Sequence, residues 1–155
     1  MKSEPDCFSI DDLAKLPDKT TIWDGVRNYQ ARNIMRDEMK KGDQIFFYHS
    51  NAKPPHLAGL AEIVSETPIP DPTQFDPKSQ YFDEKSSAEN PRWMTVKVKF
   101  KKKFKDILPL DRIRSNPKLT NMKLVQKGAR LSVQPVEKKE WDEIMAMIGH
   151  TNLAY

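Results

Sequence analysis

Residues 23–33 read Trp-Asp-Gly-Val-Arg-Asn-Tyr-Gln-Ala-Arg-Asn, two large aromatics, two arginines and two asparagines gathered around an Asp-Gly turn. Rings of this kind stack on bases, amides pair with base edges and guanidinium groups grip phosphates. The mixture suits a pocket for an anionic, flat-ringed ligand such as a nucleotide. Elsewhere the chain has no Gly-rich phosphate loop, no Gly-x-Ser-x-Gly elbow and no His-Glu-x-x-His, and its carboxylates are scattered. His49 could act as a base or bind a metal, but His56 and His150 supply no ligand spacing. A hydrogen-bonded structural histidine is the plainer reading. Trp23 also has two readings: buried core, the commoner role of a lone tryptophan, or a platform at the mouth of a barrel.

The elements that must position these residues follow from patterning. Gly25 supplies a positive φ after Asp24. The next helix should start at Asn28 as its N-cap and run to about Lys40. Ala31, Ile34, Met35 and Met39 would form its apolar stripe, and Arg32, Arg36 and Lys40, four apart, a basic ridge. Upstream, Thr20–Trp23 reads as a short strand, and Ser9-Ile10-Asp11-Asp12 as a capped helix start with Ile10, Leu13 and Leu16 inward. Gln44–Ser50 is apolar on both faces, the mark of a central strand covered on each side. Leu57–Ser65 should pair with it antiparallel, and Gly59 signals a bend or a close backbone approach. Residues 66–91 carry Pro68, Pro70, Pro72, Pro77 and Pro91, and read as a polar surface excursion pinned by Phe75, Tyr81 and Phe82. Val96, Val98 and Phe100 alternate with Lys97, Lys99 and Lys101, so the lysines read as a strand's solvent face or as phosphate contacts, with Lys102 and Lys103 at its end. A short helix opens at Pro109. Leu131–Val136 reads as the last strand, and Trp141, Ile144, Met145 and Ile148 as the buried face of a last helix ended by Gly149.

At 155 residues without an internal repeat, the chain is expected to form one α+β domain over 1–155, built on a small, curved, mostly antiparallel barrel flanked by short helices. Its formal charge of +4, from 26 basic and 22 acidic side chains, permits nucleic-acid binding without demanding it. Cys7 is the only cysteine, which excludes an internal disulfide and a CxxC metal site. No apolar run reaches membrane-spanning length and the first residues lack the core of a signal peptide. The expected location is the cytoplasm of a bacterium, or the nucleus if the chain is eukaryotic.

Five blocks carry a family resemblance: Lys2-Ser3-Glu4-Pro5, the whole of residues 23–33, Phe47-Tyr48-His49-Ser50-Asn51, Asn90-Pro91-Arg92-Trp93, and residues 130–136, Arg-Leu-Ser-Val-Gln-Pro-Val. In this order they resemble the EVE domain family, from the first residue to about Ile148. Family members usually carry a few more apolar residues before Lys-Ser-Glu-Pro, so the first strand is expected to be short here. The resemblance implies a PUA-like fold, kinship with the YTH readers of methylated adenine in RNA, and a non-enzymatic role in binding DNA or RNA with a modified base. It places Lys2 and Ser3 at a pocket wall and Trp23 as an aromatic platform. Asp24 and Asn28 become polar readers, and His49, Ser50, Ser132 and Gln134 come from facing strand ends. It implies no cofactor and no metal, and the chain is expected to act as a monomer.

An energy estimate adds the phosphate contacts. Everting a base costs a few kcal/mol. Stacking on Trp23 would return roughly 1–3 kcal/mol, and a buried methyl only about 0.8 kcal/mol. Affinity must then come largely from phosphates, with Arg27, Arg32, Arg36 and Arg130 as the candidates, and discrimination from a polar edge reader such as Asn28 or Gln134. Two other classes stay open. One is an enzyme on a modified nucleotide with His49 as base; the other is an adaptor that recruits an effector protein through the 66–91 excursion.

Overall fold

A computed structural model describes residues 1–128 and 130–151; Ala129 and the last four residues of the expected domain, 152–155, lie outside it. In chain order the regular elements are β1 (Lys2–Ser3), α1 (Ile10–Lys15), β2 (Thr20–Ile22), α2 (Tyr29–Asn33), β3 (Gln44–His49), β4 (His56–Ile63), β5 (Ile69–Pro70), β6 (Met94–Thr95), β7 (Lys97–Pro109), α3 (Leu110–Arg114) and α4 (Lys138–Thr151). The sheet runs β1-β3-β4-β7-β2, antiparallel except for β1 against β3. It is a mixed α+β fold with a curled, mostly antiparallel half-barrel. No helix among the described residues is long and apolar enough to cross a membrane.

Strand β3 is covered on both faces, as its apolar pattern requires, although β4 holds the middle of the sheet and β3 lies between it and the two-residue β1. Ile45 and Phe47 enter one core cluster with Ile10, Trp23, Ala31 and Val98. Phe46 and Tyr48 enter a second cluster with Leu108, Ile113, Ile144 and Ile148. The period-two alternation of a strand divides the residues between the two cores. Strand β7 serves both by curling. Its register against β4 shifts between Leu60 and Ala61 and again between Leu57 and Gly59, so Phe100 packs on the first cluster and Phe104 on the second. Lys102 and Lys103 therefore pair in register with Leu60 and Gly59, between the two shifts, and do not mark the strand's end, which comes only at Pro109. Lys101 pairs with Glu62 and Lys103 with Asp11, as on a solvated face.

Several expected boundaries move. After Asn33 the helix widens into a π-turn, Ile34–Glu38, closed by the Met39 N–H on the Ile34 carbonyl at 3.1 Å. The wider turn breaks the four-residue spacing, so Arg32, Arg36 and Lys40 do not form a ridge. Leu131–Val136 is no strand; it docks as irregular chain, its Ser132 carbonyl accepting from Lys2 N–H at 2.8 Å. Helix α4 continues through Gly149 to Thr151. Ser9 forms the expected capping box on α1, and β1, though two residues long, pairs with Tyr48 and His49.

Gly59 is buried where α1 crosses the β4–β7 pair. A Cβ there would collide with the Lys102 carbonyl oxygen and stand 3.0 Å from the Ile10 side chain. A backbone oxygen held in a ladder cannot step aside cheaply. Gly59→Ala should therefore cost about 1–3 kcal/mol of folding free energy. Equilibrium urea unfolding would measure it, and an unchanged midpoint would refute the close-packing account.

Candidate nucleic-acid pocket

One cavity of about 670 Å³ opens between β1, the end of β2 and the chain entering α2. That volume is in the range of sites for drug-sized ligands. Lys2, Ser3, Trp23, Asp24, Arg27, Asn28 and Ser132 all line it, so it gathers most of the residues expected at the site. Ser132 arrives through the backbone bond from Lys2, and Ser3 is held by its hydroxyl donating to the Phe8 carbonyl at 2.6 Å.

Trp23 is core and cavity wall at once. It is only 8% exposed and packs edge-on against Phe8 and Phe47 at 6.4 and 5.6 Å between centroids. Its N–H donates to the Val96 carbonyl at 3.0 Å and its carbonyl accepts from the Thr95 hydroxyl, which continues the β2 edge past Ile22. Asn28 is the helix cap expected: its Oδ1 accepts from Ala31 N–H at 3.0 Å. That bond occupies the oxygen and fixes the amide at the cavity rim. Asp24 stands exposed at the same rim. Desolvation by the surrounding wall, and then the nearby Asp71 charge, hold its carboxyl above the usual carboxylate range. Desolvation likewise lowers the Lys2 pKa.

Arg27 has a different task from the phosphate contact expected of it. Its guanidinium donates to Asp71 Oδ2 (3.0 Å), the Thr73 hydroxyl (3.0 Å) and the Tyr81 carbonyl (2.7 Å). Asp71, 1% exposed, also accepts from Gly25 N–H at 2.8 Å and from Thr73 N–H at 2.8 Å. Beside it the fully buried Gln74 donates to the Asp71 and Trp93 carbonyls, while its oxygen accepts from Trp93 N–H and the Ser86 hydroxyl. The excursion is thus tied down by a satisfied polar knot. Phe75 and Phe82, expected as anchors, are 37% and 42% exposed. Tyr81 alone of the three packs inward, its ring lying where a Cβ on Gly25 would stand, 2.7 Å away. Gly25, at φ +81°, meets both demands.

The remaining expected residues lie elsewhere. His49 is buried behind α1 and outside the cavity lining. Its Nε2 accepts from Ile10 N–H at 3.1 Å, satisfying an orphan donor of the α1 N-terminus. Its proton must then sit on Nδ1, which faces His56 Nε2 at 3.0 Å, and the His56 Nδ1–H faces the Pro54 carbonyl at 2.7 Å. Both rings are neutral in this chain of bonds. Ser50 lies next to the wall, its N–H on the Ser3 carbonyl, but does not line it. Gln134 turns to a neighbouring cavity of about 390 Å³ with Arg130, Lys123, Gln30 and the other side of Asn28. Arg32 bonds Asn33 and the Arg92 carbonyl, and Arg36 pairs with Asp37. The sequence reading missed Phe8, Thr21, Val26 and Tyr81 in the wall. Val26 belongs to the motif and Thr21 stands just before it, whereas Tyr81 is brought in by the knot around Asp71.

Comparison with known proteins gives a consistent result. Residues 1–147 match the EVE domain family. Thymocyte nuclear protein 1 of Danio rerio is 46% identical over 165 residues, spanning 95% of this chain and 70% of that protein. A crystal structure of a Pseudomonas putida protein superposes with a TM-score of 0.90 at 46% identity, over 96% of this chain and 97% of the other. The human THYN1 protein, solved in complex with 5-methylcytosine-containing DNA, superposes with a TM-score of 0.88 at 42% identity, over 96% and 95% of the two chains.

Two outcomes follow from the geometry. Asp71→Ala would leave Arg27, Gly25 N–H and Thr73 N–H without their acceptor, at a cost of about 3 kcal/mol. Thermal unfolding would register it, and an unshifted transition would show the knot to be dispensable. His49 has its pKa lowered, first by burial and then by His56; Asp11 acts upward, Lys103 downward by less, and Asp12 upward by least. The folded state thus favours the neutral ring, and the unfolded chain takes up the proton first as pH falls. This contribution is intact above about 6.5, the ordinary histidine value, and is lost below it until the folded ring titrates. Urea midpoints should decline through that window, and His49→Gln should flatten the decline. Superimposable pH profiles for the two proteins would refute the assignment.

Proposed function

The chain belongs to the EVE domain family, and from that premise we propose that it is a non-enzymatic nucleic-acid-binding module that accepts a modified base, everted into the cavity at Trp23. The observation that carries this reading is the convergence of Lys2, Ser3, Asp24, Asn28 and Ser132 on one ring-lined cavity. It is supported by the human relative at 42% identity, solved with DNA containing 5-methylcytosine. Asp24 is the natural reader of an exocyclic amine, since a carboxylate accepts from cytosine N4. Trp23 and Phe8 supply the apolar wall for a methyl group, and Lys2 supplies a cation at the wall beside β1. The alternative of an enzyme with His49 as base loses its support, because Nε2 of that ring is engaged by Ile10 N–H. A recruiting role for the excursion is compatible with binding, since Phe75 and Phe82 stay exposed.

Trp23 is too deeply packed to remove cleanly, so the informative variant is Asp24→Asn. Titration with labelled oligonucleotides should show tighter binding of the methylcytosine strand than of the unmodified one. Asp24→Asn should weaken the methylcytosine complex roughly tenfold, in line with about 1–3 kcal/mol for a good base-edge contact. Equal binding of both strands by both proteins would overturn the reading. Appearance of a new nucleoside product on long incubation would overturn its non-enzymatic part.

A further inference from the structure

At the rim of the cavity the excursion builds a layered stack that the base pocket itself does not require. Tyr81 lines the cavity; the Arg27 guanidinium carbon lies 5.6 Å from its ring centroid and 5.1 Å from that of Trp93. Trp93 in turn stacks on Tyr29 at 4.7 Å with the rings 14° apart. Tyr29 ends the series and is 51% exposed, the most exposed of the large apolar and aromatic side chains in the described structure.

Arg32 decides whether the outer face of Tyr29 is open. Its guanidinium carbon is 4.6 Å from the Tyr29 centroid and 5.9 Å from that of Trp93. Were Arg32 across the ring from Trp93, its distance to Trp93 would approach the sum of the other two separations. It is far shorter, so Arg32 does not lie squarely opposite Trp93, and the half-exposed ring has its solvent side away from Trp93. Arg32 is itself fixed by bonds to Asn33 Oδ1 and the Arg92 carbonyl, and Trp93 by its indole N–H on Asp83 at 2.8 Å. Tyr29 is therefore a flat ring held at a set angle, half exposed and with a guanidinium close to it.

We propose that this outer face of Tyr29 is a second stacking position, which takes an unmodified base of the same strand next to the everted one. The inference rests on the cavity reading and extends it, making the binding site at least two nucleotides long. Tyr29 directly follows Asn28 of the cavity rim, so a strand with one base in the cavity passes this ring. A base recognises a ring of this kind by its π-face, which every base has, so the position adds affinity without sequence preference. The neighbouring arginines add cation–π character to the same contact.

The test uses the full chain with three probes: the nucleoside 5-methyl-2′-deoxycytidine, a labelled single-stranded nonamer with a central methylcytosine, and that nonamer with 2-aminopurine on either side of it. Tyr29→Leu keeps an apolar cover on Trp93, and melting curves check its fold. It should bind the nonamer about tenfold more weakly while holding the nucleoside to within about twofold, whereas Tyr29→Phe should match wild type. With wild-type protein, one of the two 2-aminopurine placements should be quenched on binding, which needs no variant to fold. Equal nonamer affinity for wild type and Tyr29→Leu, equal losses for nonamer and nucleoside, or no quenching at either placement would overturn the proposal. If the nucleoside fails to bind while Tyr29→Leu still weakens the nonamer, the stacking position stands and the cavity reading falls.

Discussion

A carboxylate that is nearly inaccessible to water has to be neutralised where it stands, and in this protein Asp71 sets that requirement. Its two oxygens take hydrogen bonds from Arg27, Gly25 and both donors of Thr73. Leaving any of these groups unpaired in the interior would cost more than a surface contact returns. The consequence is geometric. The Asp24-Gly25 turn cannot move without the excursion, and the excursion cannot lift without exposing a buried charge pair. Tyr81, Trp93 and Tyr29 inherit their positions from this one knot, so the rim of the cavity is as fixed as its floor.

The floor has another origin. Phe47 is completely buried and stands edge-on to Trp23, so the cavity wall is the outer surface of the first core cluster. Strand β3 can supply that wall and the second cluster together because it is covered on both faces. The bulges in β7 let a single strand of 13 residues close over both. A pocket built directly on a close-packed core is pre-organised, and little conformational entropy is lost when a ligand enters.

The local rules were legible in the sequence. The Ser9 capping box, the Asn28 cap, the two-faced β3 and the close approach at Gly59 each follow from a few neighbouring residues. Lys2, Trp23, Asp24 and Asn28, which line the cavity, are assigned to a pocket by the family resemblance rather than by local rules. What failed depends on distant pairing. A π-turn changes which residues share a face, so Arg32, Arg36 and Lys40 never align although their spacing is right for an α-helix. Leu131–Val136 has strand-like residues but forms no ladder, and its Ser132 carbonyl is shared with β1. Arg27 reads as a phosphate ligand because the energy estimate calls for cations, and its acceptor Asp71 lies more than forty residues on. His49 reads as a structural histidine and is one, but the resemblance puts it in the pocket, and its partner is a helix terminus that adjacency in sequence does not reveal.

These placements change where affinity and selectivity for nucleic acid would originate. With Arg27 internal and Arg36 held by Asp37, the cations at the two adjoining cavities are Lys2 on one side of Asn28 and Lys123 with Arg130 on the other. Each phosphate contact releases about one counterion, so a handful of such groups gives binding only a moderate dependence on salt. A net charge of +4 spread over the chain adds little more. In the proposed binding mode, non-specific attraction to any polyanion would then be weak, and contacts inside the cavity would form a larger share of the total than they would on a strongly basic surface. In that mode a single base-edge acceptor such as Asp24 would then separate one base from another, because no large charge term masks the difference.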